Sequence, residues 1–138
     1  QLLMALEWGH GSLKCLQAAE AIIKVIIDDG NYLFYHDKLM HIYIGQAICL
    51  ARSGNYAEVV DVLRKSHFHA VQYEQTKTTS QDSSALYTCE IFSKLSYDEK
   101  VIWRTGTGTL MDDFKEYLAL PEFDVFRSRP DFVELGTL

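Results

Sequence analysis

Four of the five histidines lie in two close pairs along the chain, and histidine both binds zinc and exchanges protons near neutral pH. His36 and His41 are five residues apart, whereas His67 and His69 are two apart. A zinc site on one helix uses a spacing of four, which places both rings on the same face. Neither pair has this spacing, so we expect hydrogen-bonded or surface histidines, with no metal and no other cofactor.

The three cysteines are far apart in the chain and odd in number. That pattern is typical of buried thiols in a reducing compartment, and it predicts a cytoplasmic protein. Cys49 lies between Ile48 and Leu50 and is expected to be buried, while Cys89 precedes Glu90, whose charge disfavours a thiolate. We therefore expect no catalytic cysteine and no enzyme activity.

Two segments contain the glycines of ligand-binding loops but lack the rest of the pattern. Glycines alternate with threonines over residues 105–109, but Asp112 and Asp113 follow where a phosphate loop needs Lys and Ser or Thr. Acidic residues favour the first turn of a helix, so this segment predicts a capped helix start. Residues 28–31 lack the spacing of a calcium loop and predict a helix end. The acidic side chains of the later segment are expected on a solvated face: Asp112, Asp113, Glu116 and Glu122.

Composition and charge narrow the class of protein. The 138 residues carry a net charge of −6 and are 48% hydrophobic, which predicts one folded domain over residues 1–138 and disfavours direct binding of nucleic acid. No apolar run reaches the roughly 20 residues that cross a membrane. We therefore expect no membrane association and a partner that is a protein or peptide, with a homodimer among the options.

Apolar spacing predicts an all-α protein. A helix over residues 13–29 is predicted to end at Gly30, and two further helices meet at a hinge over residues 54–56. The second helix of this hairpin is predicted to end near Glu74. Residues 1–74 are thus predicted to form repeat hairpins. Residues 75–109 form an irregular connector that begins with an exposed loop over 75–84, and residues 110–138 form capping helices.

The C-terminal segment combines two helix starts with a set of apolar residues. Pro121 and Pro130 suit the first turn of a helix, where a backbone N–H is not needed. Four large apolar residues follow these prolines: Phe123, Phe126, Phe132 and Leu135. We expect this tail to cap the open face of the last hairpin. The alternative is a self-association surface.

Polar and aromatic residues of the hairpin are the candidates for contact with a ligand. Gln46 is polar where a repeat helix would carry an apolar or lining residue, and Tyr35, Arg52 and Asn55 are expected on the same inner face. Repeat proteins bind their partners on such concave surfaces. We predict that these four residues line a peptide or ligand site, with no catalytic residue and no metal ligand.

The hairpin resembles a tetratricopeptide repeat. Its signature positions are occupied by Ala47, Leu50, Gly54, Tyr56, Val59 and Leu63. Two positions depart from the repeat, because Gln46 stands where Leu is usual and Ser66 stands where Ala is usual. The resemblance implies a tetratricopeptide-like stack of antiparallel helix hairpins, an architecture that mostly binds other proteins.

A longer order of segments is similar to the C-terminal region of helix-turn-helix transcriptional regulators of the xenobiotic-response-element type. The segments span residues 29–36, 86–89, 92–97 and 117–132. In that family a DNA-binding domain precedes a tetratricopeptide-like regulatory domain. The resemblance implies that this chain senses a peptide or small ligand or mediates oligomerisation, and that it reaches DNA only through a separate domain. The alternative is a generic tetratricopeptide-type scaffold that binds a protein partner and has no role in transcription.

Overall fold

The chain is all-helical over the residues that the computed structural model describes, which are 12–30, 32, 35–79 and 108–137. Their helices are α1 (Leu13–Ile26), α2 (Tyr35–Arg52), α3 (Tyr56–Thr79), α4 (Leu110–Leu118), the 3-10 helix η1 (Pro121–Phe126) and α5 (Pro130–Thr137). No strand occurs among the described residues, so the predicted all-α class is confirmed.

Within the same residues, no helix is both long enough and apolar enough to span a bilayer. The predictions that concern residues 1–11 and 80–107, including Cys89 and most of the connector, lie outside the described residues.

A side-chain cap starts α1, and the helix ends earlier than predicted. The Ser12 hydroxyl accepts a hydrogen bond from the Cys15 backbone N–H at 3.4 Å, which satisfies a free donor of the first turn. Ile27 caps the other end, so the helix stops at Ile26 and not at residue 29. Gly30 follows with a φ of +78°, a conformation that glycine adopts without strain.

The hinge between α2 and α3 is a Schellman motif. The Asn55 N–H donates to the Leu50 carbonyl at 2.9 Å, and the Gly54 N–H donates to the Ala51 carbonyl at 3.2 Å. Gly54 has a φ of +81°, the left-handed conformation that this motif requires. The predicted tight turn is therefore present, and α2 and α3 pack against each other more extensively than any other described pair of helices.

In contrast to the sequence prediction, α3 continues well beyond Glu74. It extends to Thr79, whereas polar composition predicted a loop from residue 75, and that part of the prediction is wrong. Residues 75–79 contain no Gly or Pro, the residues that most strongly disfavour a helix, and the lower helix propensity of their three Thr residues does not end α3. The Thr76 hydroxyl also donates to the Gln72 carbonyl one turn earlier, at 2.7 Å.

The predicted capped start of α4 is confirmed. Thr109 and Asp112 form a capping box, in which each side chain accepts a hydrogen bond from the other residue's backbone N–H at 3.1 Å. The Glu74 carboxylate of α3 accepts the Leu110 N–H at 2.6 Å. This bond ties the start of α4 to α3 across 36 residues of sequence, a distance over which local patterns carry no information.

Two buried clusters meet at α2. One of them lies between α1 and α2 and consists of Leu16, Ala19, Ile23, Ile26, Ile27, Leu39, Ile42 and Tyr43. The other joins α2 and α3 to the C-terminal helices. The first two helices approach closely at Gly45, where a Cβ atom would lie 2.9 Å from Leu16 Cδ1.

The C-terminal tail completes the second cluster. Its four apolar side chains are each 5% exposed or less: Phe123, Phe126, Phe132 and Leu135. Arg127 holds the tail together, since its guanidinium donates to the Leu118 and Leu120 carbonyls and lies 5.7 Å from the centre of the Phe132 ring. Because these four apolar side chains are already buried, they do not form the alternative self-association surface.

Candidate functional site

A buried pair of histidines joins α2 to α3. His36, in the first turn of α2, and His69, in the second half of α3, place their Nδ1 atoms 2.8 Å apart. The two residues are only 4% and 6% exposed. A hydrogen bond at this distance requires one ring to donate an N–H and the other to accept it through a lone pair.

Aromatic rings surround the pair and exclude water from it. Tyr32 contacts both histidine rings edge-on, with centroid distances of 5.4 and 5.9 Å, and Tyr43 stacks on His69 at 5.5 Å. Burial lowers the pKa of His36 to about 4. Burial also lowers the pKa of His69 to about 3, with further contributions from the nearby His36 and Lys24. Both rings are therefore neutral at pH 7.

A second polar group lies beside the histidines and joins α1 to α2. The Glu20 carboxylate accepts hydrogen bonds from the Tyr43 hydroxyl at 2.6 Å and from the Gln46 amide at 2.9 Å, and it pairs with Lys24 at 2.6 Å. Burial alone would raise the pKa of Glu20, but these three donors outweigh it and lower that pKa. Burial and the Glu20 charge raise the pKa of Tyr43 to about 12. We call these four residues the Glu20 network.

The other two histidines of the described residues, His41 and His67, do not join the pair. His41 bonds to Asp37 one turn earlier, with its Nδ1 atom 2.9 Å from the Asp37 carboxylate. His67 lies edge-on to Phe114 of α4 at 5.4 Å, and its buried Nε2 atom has no hydrogen-bond partner among the described residues. Burial and the charge of Lys115 lower the pKa of His67. His36 and His69 are thus hydrogen-bonded, as expected, and each is the other's partner although they lie 33 residues apart in the chain.

The four predicted lining residues do not converge on one place. Tyr35 is half-buried against the cluster between α1 and α2, and Gln46 is buried in the Glu20 network. Arg52 points to the tail and pairs with Glu122 at 2.7 Å, and the exposed Asn55 donates to the Ser53 hydroxyl at 3.2 Å. Tyr35 and Arg52 occupy opposite ends of α2, about 25 Å apart along its axis. Their role as lining residues stays a prediction.

The predicted acidic face divides into different environments. Asp112 belongs to the capping box of α4, where its hydrogen bonds to Thr109 lower its pKa. Glu122 is directed toward the hairpin through its bond to Arg52, which lowers the pKa of that carboxyl. Asp113 and Glu116 line an open surface depression with Tyr117 and Leu120.

The chemistry available at the histidine pair is proton exchange. The described residues contain no group of three or more His, Cys, Asp or Glu side chains that could hold a metal ion. Cys49, expected to be buried, is half-buried against the apolar cluster between α1 and α2, and burial raises the pKa of its thiol, which disfavours the nucleophilic thiolate. The neutral histidine pair, in contrast, can take up protons without any additional ligand.

Comparisons of the chain with protein-family models, with curated proteins and with solved structures find no match. Function must therefore be inferred from the exposed surface and from the buried polar groups. Two features are relevant to function. One is the exposed Phe68 side chain on α3, and the other is the buried pair of His36 and His69.

Proposed function

We propose that this chain is a non-enzymatic regulatory domain that binds a protein or peptide partner, a second copy of itself included. We further propose that it belongs to a helix-turn-helix transcriptional regulator. The binding part rests on one observation, the exposure of Phe68 on α3. The transcriptional part rests on the resemblance of the segments described above.

Phe68 is a large apolar side chain that the fold leaves in water. It is 54% exposed, although its neighbour His69 is almost completely buried. The Lys65 ammonium lies one turn earlier on α3, over the ring of Tyr43. Aromatic residues are enriched in protein interfaces, and burial of one such side chain contributes about 1.5–3 kcal/mol. The face of α3 around Phe68 is thus the best candidate for partner contact.

A repeat-like arrangement of helices fits this role. The Schellman turn between α2 and α3 forms the compact hairpin from which helical repeats are built. Small residues at Gly45 and Ala47 allow the axes of neighbouring helices to lie close together. The tail then covers the apolar side that a hairpin without a further neighbour would expose. These features support a tetratricopeptide-like domain, and the repeat assignment is part of the proposal.

Light scattering over a range of protein concentrations tests the self-association part. We expect a concentration-dependent dimer and a dissociation constant that rises about tenfold or more in Phe68→Ser, the effect of losing one interface anchor. Val133→Ser is the matched control, because Val133 is also exposed but lies on α5. A chain that stays monomeric throughout, or a Phe68→Ser variant that dimerises normally, would exclude self-association through this face.

The gene sequence upstream of Gln1 tests the transcriptional part separately. We expect it to encode a basic helix-turn-helix domain, since in the family that the segments resemble such a domain precedes the regulatory domain and supplies the contact with DNA. If no such domain is encoded and Phe68 still controls association, the chain is a generic scaffold and the transcriptional proposal fails.

A further inference from the structure

The histidine pair lies where three parts of the chain meet. His36 is the second residue of α2, close to the connector between α1 and α2, and His69 belongs to α3. Tyr32 of that connector rests edge-on against both rings. A change that separates the two histidines therefore takes Tyr32 out of contact with at least one of the two rings.

Charged groups around the pair compensate a positive charge only in part, because burial, His36 and Lys24 lower the pKa of His69 more than the Glu20 carboxylate raises it. From α1 the pair faces Glu20 and Lys24, and the carboxylate is already occupied by its three donors. Asp37 follows His36 in α2 but is paired with His41. Further neighbours are the aromatic rings of Tyr32, Tyr43 and Phe68, together with the Lys65 ammonium over the ring of Tyr43.

We propose that the His36–His69 pair is an acid-operated latch, in which uptake of two protons separates the start of α2 from α3 and releases the connector at Tyr32. This inference goes beyond the proposed function and requires no partner. Its failure would therefore leave the proposed function untouched.

The latch opens in two distinct protonation steps. The first proton binds Nε2 of the donor ring, and the resulting imidazolium still donates its Nδ1–H to the other ring. The second proton binds the Nδ1 lone pair of the acceptor ring, which breaks the hydrogen bond. Two cations then face each other across the 2.8 Å contact in a buried environment, where their repulsion is weakly screened.

The pKa values give the sign and size of the effect. Burial holds the pKa of His36 at about 4 and that of His69 at about 3, whereas a released histidine titrates near its usual 6.5. Both groups are bases with lowered pKa values, so the closed state is fully favoured above pH 6.5 and loses its advantage as the pH falls. The equilibrium constant for opening should rise about 500-fold between pH 7 and pH 5, and about 100-fold per pH unit where both protons are taken up.

Hydrogen exchange of the whole chain, read by mass spectrometry and corrected for the pH dependence of chemical exchange, tests the latch. Below pH 6, the opening constant measured for a peptide that covers residues 27–40 should rise by about 100-fold for each unit by which the pH falls, the dependence expected for uptake of two protons. A peptide that covers residues 110–118 should stay protected. If both peptides lose protection together, the chain unfolds globally and the latch is excluded.

Variants of the pair identify the groups that titrate. His36→Gln and His69→Gln each leave one titratable ring in the pair. The opening constant should then change by only about tenfold per pH unit. His41→Gln is the matched control, since His41 lies outside the pair, and its slope should equal that of the unmodified chain. A slope that neither pair variant changes would overturn the proposal. If those variants do not fold, nitrogen NMR of the unmodified chain decides, because a charged His36 or His69 ring at a pH where residues 27–40 are still protected contradicts the latch.

Discussion

Replacement of Phe123 by alanine measures how strongly the tail is built into the core. Phe123 is fully buried in the cluster that joins α2 and α3 to the C-terminal helices, and its ring lies 6.1 Å from that of Phe132. Truncation of such a ring removes its burial energy and leaves a cavity, which together cost about 3–5 kcal/mol. For a domain of this size, the loss corresponds to a melting temperature lower by about 10 to 20 °C.

Urea unfolding followed by circular dichroism is the appropriate assay, with Val125→Ala as the matched control. Val125 lies in the same short helix as Phe123 but is 60% exposed, so its truncation should change the free energy of unfolding by less than about 0.5 kcal/mol. Equal and small effects of the two substitutions would refute the placement of the tail in the core. The tail would then be an appendage that the hairpin does not need.

Three further substitutions test separate contacts by the same urea assay. Gly54→Ala should cost about 1–2 kcal/mol, because alanine is strained at a φ of +81°, and a neutral result would contradict the Schellman turn. Ser66→Ala should cost about 1 kcal/mol through loss of the buried 2.9 Å bond to the Met40 carbonyl, and a stabilised variant would show that this bond is not needed. Glu20→Ala should cost about 1–3 kcal/mol, since the buried Tyr43 hydroxyl loses its acceptor, and an unchanged midpoint would contradict the Glu20 network.

Elements that depend on neighbouring residues were predictable from the sequence. The capped start at Thr109, the proline at the first position of η1 and the left-handed glycine at the hinge each follow from backbone requirements within a few residues. The end of α3 was not predicted correctly, because a polar stretch without Gly or Pro is compatible with both a loop and an exposed helix.

The sequence by itself determined the all-α class of the described residues, where the main hinge lies and which apolar residues of the tail form one set. These properties depend on spacing and on backbone chemistry, which act over a few residues. Only the tertiary structure decided that His36 meets His69 and that Gln46 bonds to Glu20. Those contacts join residues 33 and 26 positions apart, and they form only when packed helices bring the side chains together.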